Sequence, residues 1–472
     1  MPELLLALDA GTTGARAMLV DPAGKVLGMD KQPIVSRFPA PSLVEQDAGG
    51  VWEICRAVIR GALAVAGRGI TDVAAIGVTT QRASVVLWDR ATGEPVAPML
   101  VWSDLRGMDE FRALRAAGFT AWPQVPSAKL PAAIALSGRD PGDLQWGTLD
   151  SWLTYKLSGA HVTDASAGWL TGYYDQARGA GWDEALLAHQ RLPASLFPAQ
   201  VESWGAIAES DPAVLGARVP ITALIADQEA AMVAHGALGP GDWKATYGTS
   251  GVLMAGTGDT PRRIHKTMPP EALARVGGRL RFCIEGMVIT TGSLVDWLCN
   301  GLGLFASPGE MEAAAASASD AANVMVRPSL AGMGAPHGNF EARGLIAGLG
   351  LADGPGQIAR AALQGIAFRF REIADVVAAA LPVPEALPVA GGLSASDTLM
   401  QLQADALQRP VRRHAVREAS AYGAALAAGM GAGLFGEGDL RRLARYDAEF
   451  RPRIGRDQAD AMFAKWQAAV AP

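Results

Sequence analysis

LLLALDAGTTGARAMLV, residues 4–20, reads as an apolar strand ending in Asp9, a turn of Gly11, Thr12, Thr13 and Gly14, and a second strand carrying Arg16. Consecutive backbone N–H groups and hydroxyls in such a turn suit an anion. A carboxylate at the end of the first strand can hold Mg²⁺ beside that anion, usually through water. Together these features describe a phosphate clamp for a nucleotide. A plain β-hairpin with a glycine turn is the other reading of this stretch alone. WKATYGTSGVLMAGTG, residues 243–258, repeats the design around Gly248 and Thr249. One such hairpin in each half predicts two similar halves facing each other across a cleft. Each half would then give one loop to the phosphates of a shared nucleotide.

The chain has 472 residues, half of them hydrophobic, enough to bury two substantial cores. A net charge of −6 with no basic block argues against nucleic acid and anionic membranes as partners. Cys55, Cys283 and Cys299 form no CxxC pair, which fits a reduced, cytoplasmic protein. The first strand begins without the basic segment and cleavage site of a signal peptide, and no apolar run reaches the ~18 residues of a membrane span. The six histidines stand at no zinc-finger or metalloprotease spacing. His161 and His337 read as structural.

Along the chain, KVLGMDKQPI (25–34) reads as a third strand and residues 49–67 as an amphipathic helix. DVAAIGVTT (72–80) reads as a buried strand, and residues 85–102 as a hairpin turned at ATGE. Helices are expected at 104–117 and 143–157, with a proline-broken stretch between them. Residues 221–238 run from strand straight into helix, and GPGD (239–242) marks the boundary between the halves. Beyond it, strands are expected near 243–256 and 281–290, and helices at 292–302, 309–320 and 357–381. The Ala-rich piece 310–323 reads as an exposed helix. PVAGG (388–392) is a further strand, followed by helices at 396–408 and 420–433. This order describes mixed α/β domains with helices on the sheet faces.

Asp227 closes an apolar strand and opens a helix, followed by Gln228 and Glu229. A carboxylate there can take a proton from a hydroxyl attacking a γ-phosphoryl group. An N-cap is the alternative, with Glu229 serving the helix dipole. Gln81 and Arg82 stand at a strand end, where Arg82 can fork onto vicinal hydroxyls or a phosphate oxygen, or pair on the surface. Trp102 suits either the core or stacking against a sugar. Lys129 is one of very few lysines in a chain whose positive charge is mostly arginine. Gly391 and Gly392 form a turn at a helix N-terminus that lets a base or phosphate approach the backbone, though a plain turn reads equally well. Gly292 and Asp296 open another helix and can border the same nucleotide.

In combination these residues resemble the FGGY family of carbohydrate kinases over nearly the full length. DAGTT (9–13) and YGTSG (247–251) resemble its two phosphate motifs, and residues 344–364 its C-terminal signature. TDASAG (163–168) and WDEALL (182–187) are similar as well. The pattern is nearest to glycerol kinases, through TQRA (80–83), VW (101–102) and DQ (227–228). The resemblance implies an α/β fold of two actin-like (ribonuclease H-like) ATPase domains with a cleft between them. Residues 1–238 would carry the sugar site and catalytic Asp, and 239–472 the nucleotide site. It implies Asp227 as catalytic base, with Gln81, Arg82, Trp102 and Gln228 on the substrate. Thr13 and Arg16 match phosphate contacts, beside Gly11 and Thr12, and Asp9 the residue near Mg²⁺. Gly248, Thr249, Gly292, Asp296, Gly391, Gly392 and Ser396 fall on the ATP side.

Three departures mark the acceptor side. Ala83 stands where glycerol kinases have Glu, Val252 where they have an aromatic, and VPSAKLPAA (125–133) lacks the usual Tyr and Trp around its Lys. These point to a roomier pocket and a four- or five-carbon polyol or ketose, with glycerol as the alternative. The expected activity is ATP- and Mg²⁺-dependent phosphorylation of a hydroxyl by a cytoplasmic enzyme, possible as a homodimer. A non-catalytic nucleotide-binding regulator is the alternative of another class; Asp227 followed by Gln228 speaks against it. A nicotinamide dehydrogenase fails for want of G-x-G-x-x-G after the first strand.

Overall fold

The structure is a computed structural model and describes residues 2–318 and 323–471. These form two compact units. The first comprises Met1–Gly236, Glu271–Arg281 and Ser420–Leu443; the second comprises Ala237–Pro270, Phe282–Ala419 and Ala444–Pro472.

In the first unit a six-stranded sheet runs Trp204–Glu209, Pro220–Leu224, Val73–Thr80, Leu4–Ala10, Gly14–Val20, Val26–Pro33. The three middle strands Pro220–Leu224, Val73–Thr80 and Leu4–Ala10 are parallel, and the first hairpin and its neighbour are antiparallel. Every residue of Leu4–Ala10 is buried, as a continuous apolar run in a two-sided sheet requires. The helix Ala48–Ala66 lays Val51, Cys55, Val58, Ile59 and Ala62 on one face of this sheet. Burying each large aliphatic side chain there contributes about 1.5–3 kcal/mol before entropy is counted. Small residues explain why Ser420–Leu443 returns to this unit. A Cβ on Gly423 would lie 1.7 Å from the Ala230 carbonyl oxygen, so the helix Ala419–Gly431 crosses Asp227–Ala234 backbone to backbone.

The second unit holds strands in the order Arg279–Val288 (from residue 282), Gly251–Gly258, Trp243–Tyr247, Leu387–Ala390, Val411–His414, Tyr446–Phe450. The long helix Pro355–Ala378 covers them; Phe370 stacks on Tyr247 at 4.3 Å, and the Tyr247 hydroxyl donates to Gln403 Oε1 at 2.7 Å.

Several expected elements differ. Residues 85–102 turn where expected and their arms meet at Val85–Leu100 and Trp88–Pro95, while Val86–Asp89 also pairs with Leu144–Gly147, and Met99–Leu100 with Glu45–Gln46. Leu144–Gly147 is therefore a strand, and the helix expected from 143 is Leu149–Ser158. The helix expected from 104 is confined to Met108–Ala116. The proline-broken stretch contains a helix, Pro126–Ser137, with Pro126 in its first turn and Pro131 inside. Pro131 has no N–H to offer the Ser127 carbonyl, which instead accepts from Gln190 Nε2 at 2.8 Å. Of the expected helix 309–320, Pro308–Ser317 is observed, while residues 319–322 lie outside the described residues. The division expected at 238 also assigns Glu271–Arg281 and Ser420–Leu443 differently from the packing. No helix among the described residues is long and apolar enough to cross a membrane.

Candidate active site

Parallel pairing brings the carboxyl ends of three strands to one sheet edge, where open α/β sheets present ligand-binding groups. Asp9 lies opposite Thr79 and Ala10 opposite Thr80, so the turn at Gly11 and the segment from Gln81 leave side by side. Pro220–Leu224 is the next parallel neighbour and delivers Asp227 to the same edge.

The Gly11–Gly14 turn is braced from within. Gly11 N–H donates to the Gly14 carbonyl at 3.0 Å. The Thr12 hydroxyl donates to Gln81 Oε1 at 3.1 Å and accepts from Trp102 Nε1 at 3.0 Å. Gln81 Nε2 donates to Gln46 Oε1 at 3.1 Å, and Gln46 Nε2 returns to the Thr12 carbonyl at 2.7 Å. Gln81 is thus buried and spends its amide on the turn, while Trp102 is positioned by Thr12. Thr13 stays exposed at the tip. Arg16 Nη1 holds Asp9 Oδ2 at 3.0 Å, as their cross-strand pairing dictates.

Arg82 is the centre of an acidic cluster. Its Nη1 lies 2.9 Å from Glu271 Oε2 and 3.2 Å from Glu229 Oε1, and its Nε lies 3.6 Å from Asp227 Oδ1. Asp227 is the first residue of its helix, with Ala226 at the N-cap position, and its carboxylate keeps partial exposure. Its Oδ1 accepts the Gln228 N–H at 2.8 Å, and Oδ2 the Gln228 amide at 3.4 Å. The preceding N–H, on Ala226, donates to Ser166 Oγ at 2.8 Å, and Ser166 in turn donates to Asp164, buried in TDASAG. Sequence reasoning passed over Glu271, Gln46 and this serine. Glu271 lies far along the chain on a strand of its own, and no local pattern announces it.

In the second unit, the turn between Trp243–Tyr247 and Gly251–Gly258 is clamped by the segment that follows the strand Arg279–Val288. The Gly248 carbonyl accepts from Thr291 Oγ1 at 2.8 Å and Gly292 N–H at 2.9 Å, and the Thr249 carbonyl from Ser293 Oγ at 3.1 Å. A Cβ on Gly292 would lie 2.6 Å from the Gly248 oxygen. Thr249 itself is exposed, as is Asp296, which accepts from Asn300 at 2.6 Å. The two adjacent glycines at 391 and 392 differ in kind. Gly391 has φ +92° and packs its α-carbon on Tyr247, whereas Gly392 is exposed and faces open space, leaving backbone a ligand can approach. Ser396 caps the helix Asp397–Leu407 and donates its hydroxyl to Glu312.

Residues 4–124 match the N-terminal domain of the FGGY family of carbohydrate kinases, and residues 243–432 its C-terminal domain. A glycerol kinase of Gloeobacter violaceus is 39% identical across 99% of this chain and 96% of its own length. One from Trichlorobacter lovleyi is 37% identical across 99% and 98%. Among solved structures, Plasmodium falciparum glycerol kinase with ADP superposes with a TM-score of 0.88 at 22% identity, over 98% of this chain and 97% of that one. Xylulose kinase from Rhodospirillum rubrum does so with 0.84 at 26%, over 98% of each. With both domain models matched, two actin-like domains, and relatives alike from end to end, the chain belongs to the FGGY family of carbohydrate kinases, phosphotransferases that use an alcohol group as acceptor.

Proposed function

We propose that this enzyme transfers the γ-phosphoryl group of ATP to a hydroxyl of glycerol. The observation that carries the acceptor is end-to-end likeness to proteins named glycerol kinase, at 39% and 37% identity. Two structural features support glycerol over the larger acceptor favoured by the sequence. Val252 is 5% exposed, so its small size does not open a pocket at the surface of its unit. Glu271, held by Arg82, brings a carboxylate near the position where Ala83 supplies none. Ala83 itself still favours the second reading, a four- or five-carbon polyol or ketose.

In the proposed mechanism Asp227 accepts the proton of the attacking hydroxyl. Arg82 orients Asp227 and donates to the acceptor; Trp102 and Gln228 complete the acceptor side. The Gly11–Gly14 and Gly248–Gly251 turns offer N–H groups and the Thr13 and Thr249 hydroxyls to phosphate, and Gly292, Gly391 and Gly392 keep backbone close to the nucleotide. Asp9 offers one carboxylate beside its turn, and among the described residues no group of three or more acidic, His or Cys side chains forms a metal cage. One carboxylate with water and phosphate oxygens is a ligand set that Mg²⁺ takes, so Asp9 would hold it there. When bound, Mg²⁺ supplies neutralisation of phosphate charge.

The test is initial-rate ATP consumption with glycerol, tetritols, pentitols, pentuloses and hexuloses. The expected result is the highest kcat/KM with glycerol. A pentulose or pentitol preferred about tenfold or more would overturn glycerol for the second reading.

A further inference from the structure

Lys129 lies on the helix Pro126–Ser137 and is completely buried. Its Nζ donates to three backbone carbonyls: Ala83 at 2.8 Å, Val101 at 2.9 Å and Trp102 at 3.3 Å. An ammonium group carries three donors on one atom, so this cage uses each of them. Two of the carbonyls belong to or adjoin residues on the proposed acceptor side. Ala83 follows Arg82, and Trp102 carries the indole bonded to Thr12. Ala83 also has φ +58°, a left-handed conformation that an alanine rarely adopts without a restraint. Nearby, Val85 and Leu100 exchange backbone hydrogen bonds at 2.8 and 3.0 Å, tying the two segments together just beyond the cage.

We propose that Lys129 is a positioning residue that sets acceptor specificity: its ammonium pins Ala83 in the left-handed conformation and fixes Arg82 relative to Trp102. This rests on the proposed acceptor side and adds the device that shapes it. A fold-stabilising lysine would lower stability and affect both substrates alike. A positioning lysine acts on the acceptor, and its loss is relieved where the backbone needs no restraint.

The experiment measures KM for glycerol and for ATP, with melting temperature, in Lys129→Met, Ala83→Gly and the double variant. Lys129→Met is expected to raise the glycerol KM about tenfold or more and to leave the ATP KM within about twofold. Ala83→Gly alone is expected to change the glycerol KM less than about threefold. In the Lys129→Met background it recovers at least about threefold, because glycine takes the left-handed conformation freely. Lys129→Gln, which retains two donors, replaces Lys129→Met if that variant does not fold, with a smaller rise and the same recovery. An unchanged glycerol KM, an equal loss for ATP, no recovery with glycine, or failure of both Lys129 variants to fold overturns the inference. Wild-type enzyme that phosphorylates none of the polyols or ketoses overturns the proposed function instead.

Discussion

Asp227 stands at the first position of its helix with a carboxylate that is partly exposed, accepts the Gln228 N–H and lies 3.6 Å from the Arg82 guanidinium. A partly exposed carboxylate at that place, held by the Gln228 N–H and Arg82, is accessible to a substrate hydroxyl. Asp227→Asn removes the proposed base while keeping shape. Its kcat is expected to fall by about 10²–10⁴, equivalent to roughly 3–5 kcal/mol, with ATP affinity and melting temperature retained. Steady-state kinetics beside calorimetric ATP titration checks this; near-wild-type turnover would remove Asp227 from the mechanism. Ser166 acts one bond further away, accepting from the N–H of Ala226. Ser166→Ala leaves a buried N–H without its acceptor, a cost of about 1–3 kcal/mol. The expected signature is a lower kcat with little change in either KM; a purely thermal effect would reduce Ser166 to a packing role.

At the scale of elements, what the sequence disclosed depended on whether pairing was local. The hairpins at Leu4–Val20 and Trp243–Gly258 were legible because strand, turn and strand are contiguous and both turns use small residues. The strand Leu144–Gly147 was not, because its partner Val86–Asp89 is distant and its few residues continue into a helix. The helix Pro126–Ser137 was hidden by Pro131, whose missing hydrogen bond is relieved by Gln190, again from afar. The candidate site divides the same way. Asp9, Arg82 and Asp227 end apolar strands and could be read directly, while Glu271 and the Lys129 cage exist only after folding. Gly292 was read as a nucleotide neighbour, and the structure adds that it braces the Gly248 turn. Gly292→Ala puts a methyl 2.6 Å from the Gly248 oxygen, a contact that must displace the turn at a cost of about 1–3 kcal/mol. Nucleotide affinity is expected to fall about tenfold with the glycerol KM nearly unchanged. Calorimetric titration with ADP and glycerol kinetics check it, and unaltered ADP binding would detach this turn from the nucleotide.

For the whole molecule, the half-buried imidazole of His161 gives stability a pH dependence with a definite sign. His161 Nε2 faces the Trp146 carbonyl at 2.8 Å and its ring meets Trp88 edge-on; burial pushes its pKa down to about 4. The unfolded chain takes up a proton near pH 6.5 that the folded chain refuses. His161 therefore supports full stability above about 6.5, and that contribution is lost as pH falls towards 4. Asp150, pushed up to about 6 by burial, works in the opposite direction over much of this window. Comparing melting temperature against pH for wild type and His161→Gln isolates the histidine: the variant's curve is expected to be flatter below pH 6.5, and parallel curves would refute the assignment. The fate of the phosphoryl group decides the proposed activity. Phosphorus NMR of the enzyme with ATP, Mg²⁺ and glycerol follows it directly. One glycerol phosphate is expected for each ADP formed, with little inorganic phosphate. Inorganic phosphate as the main product, or no ADP at all, would contradict that activity.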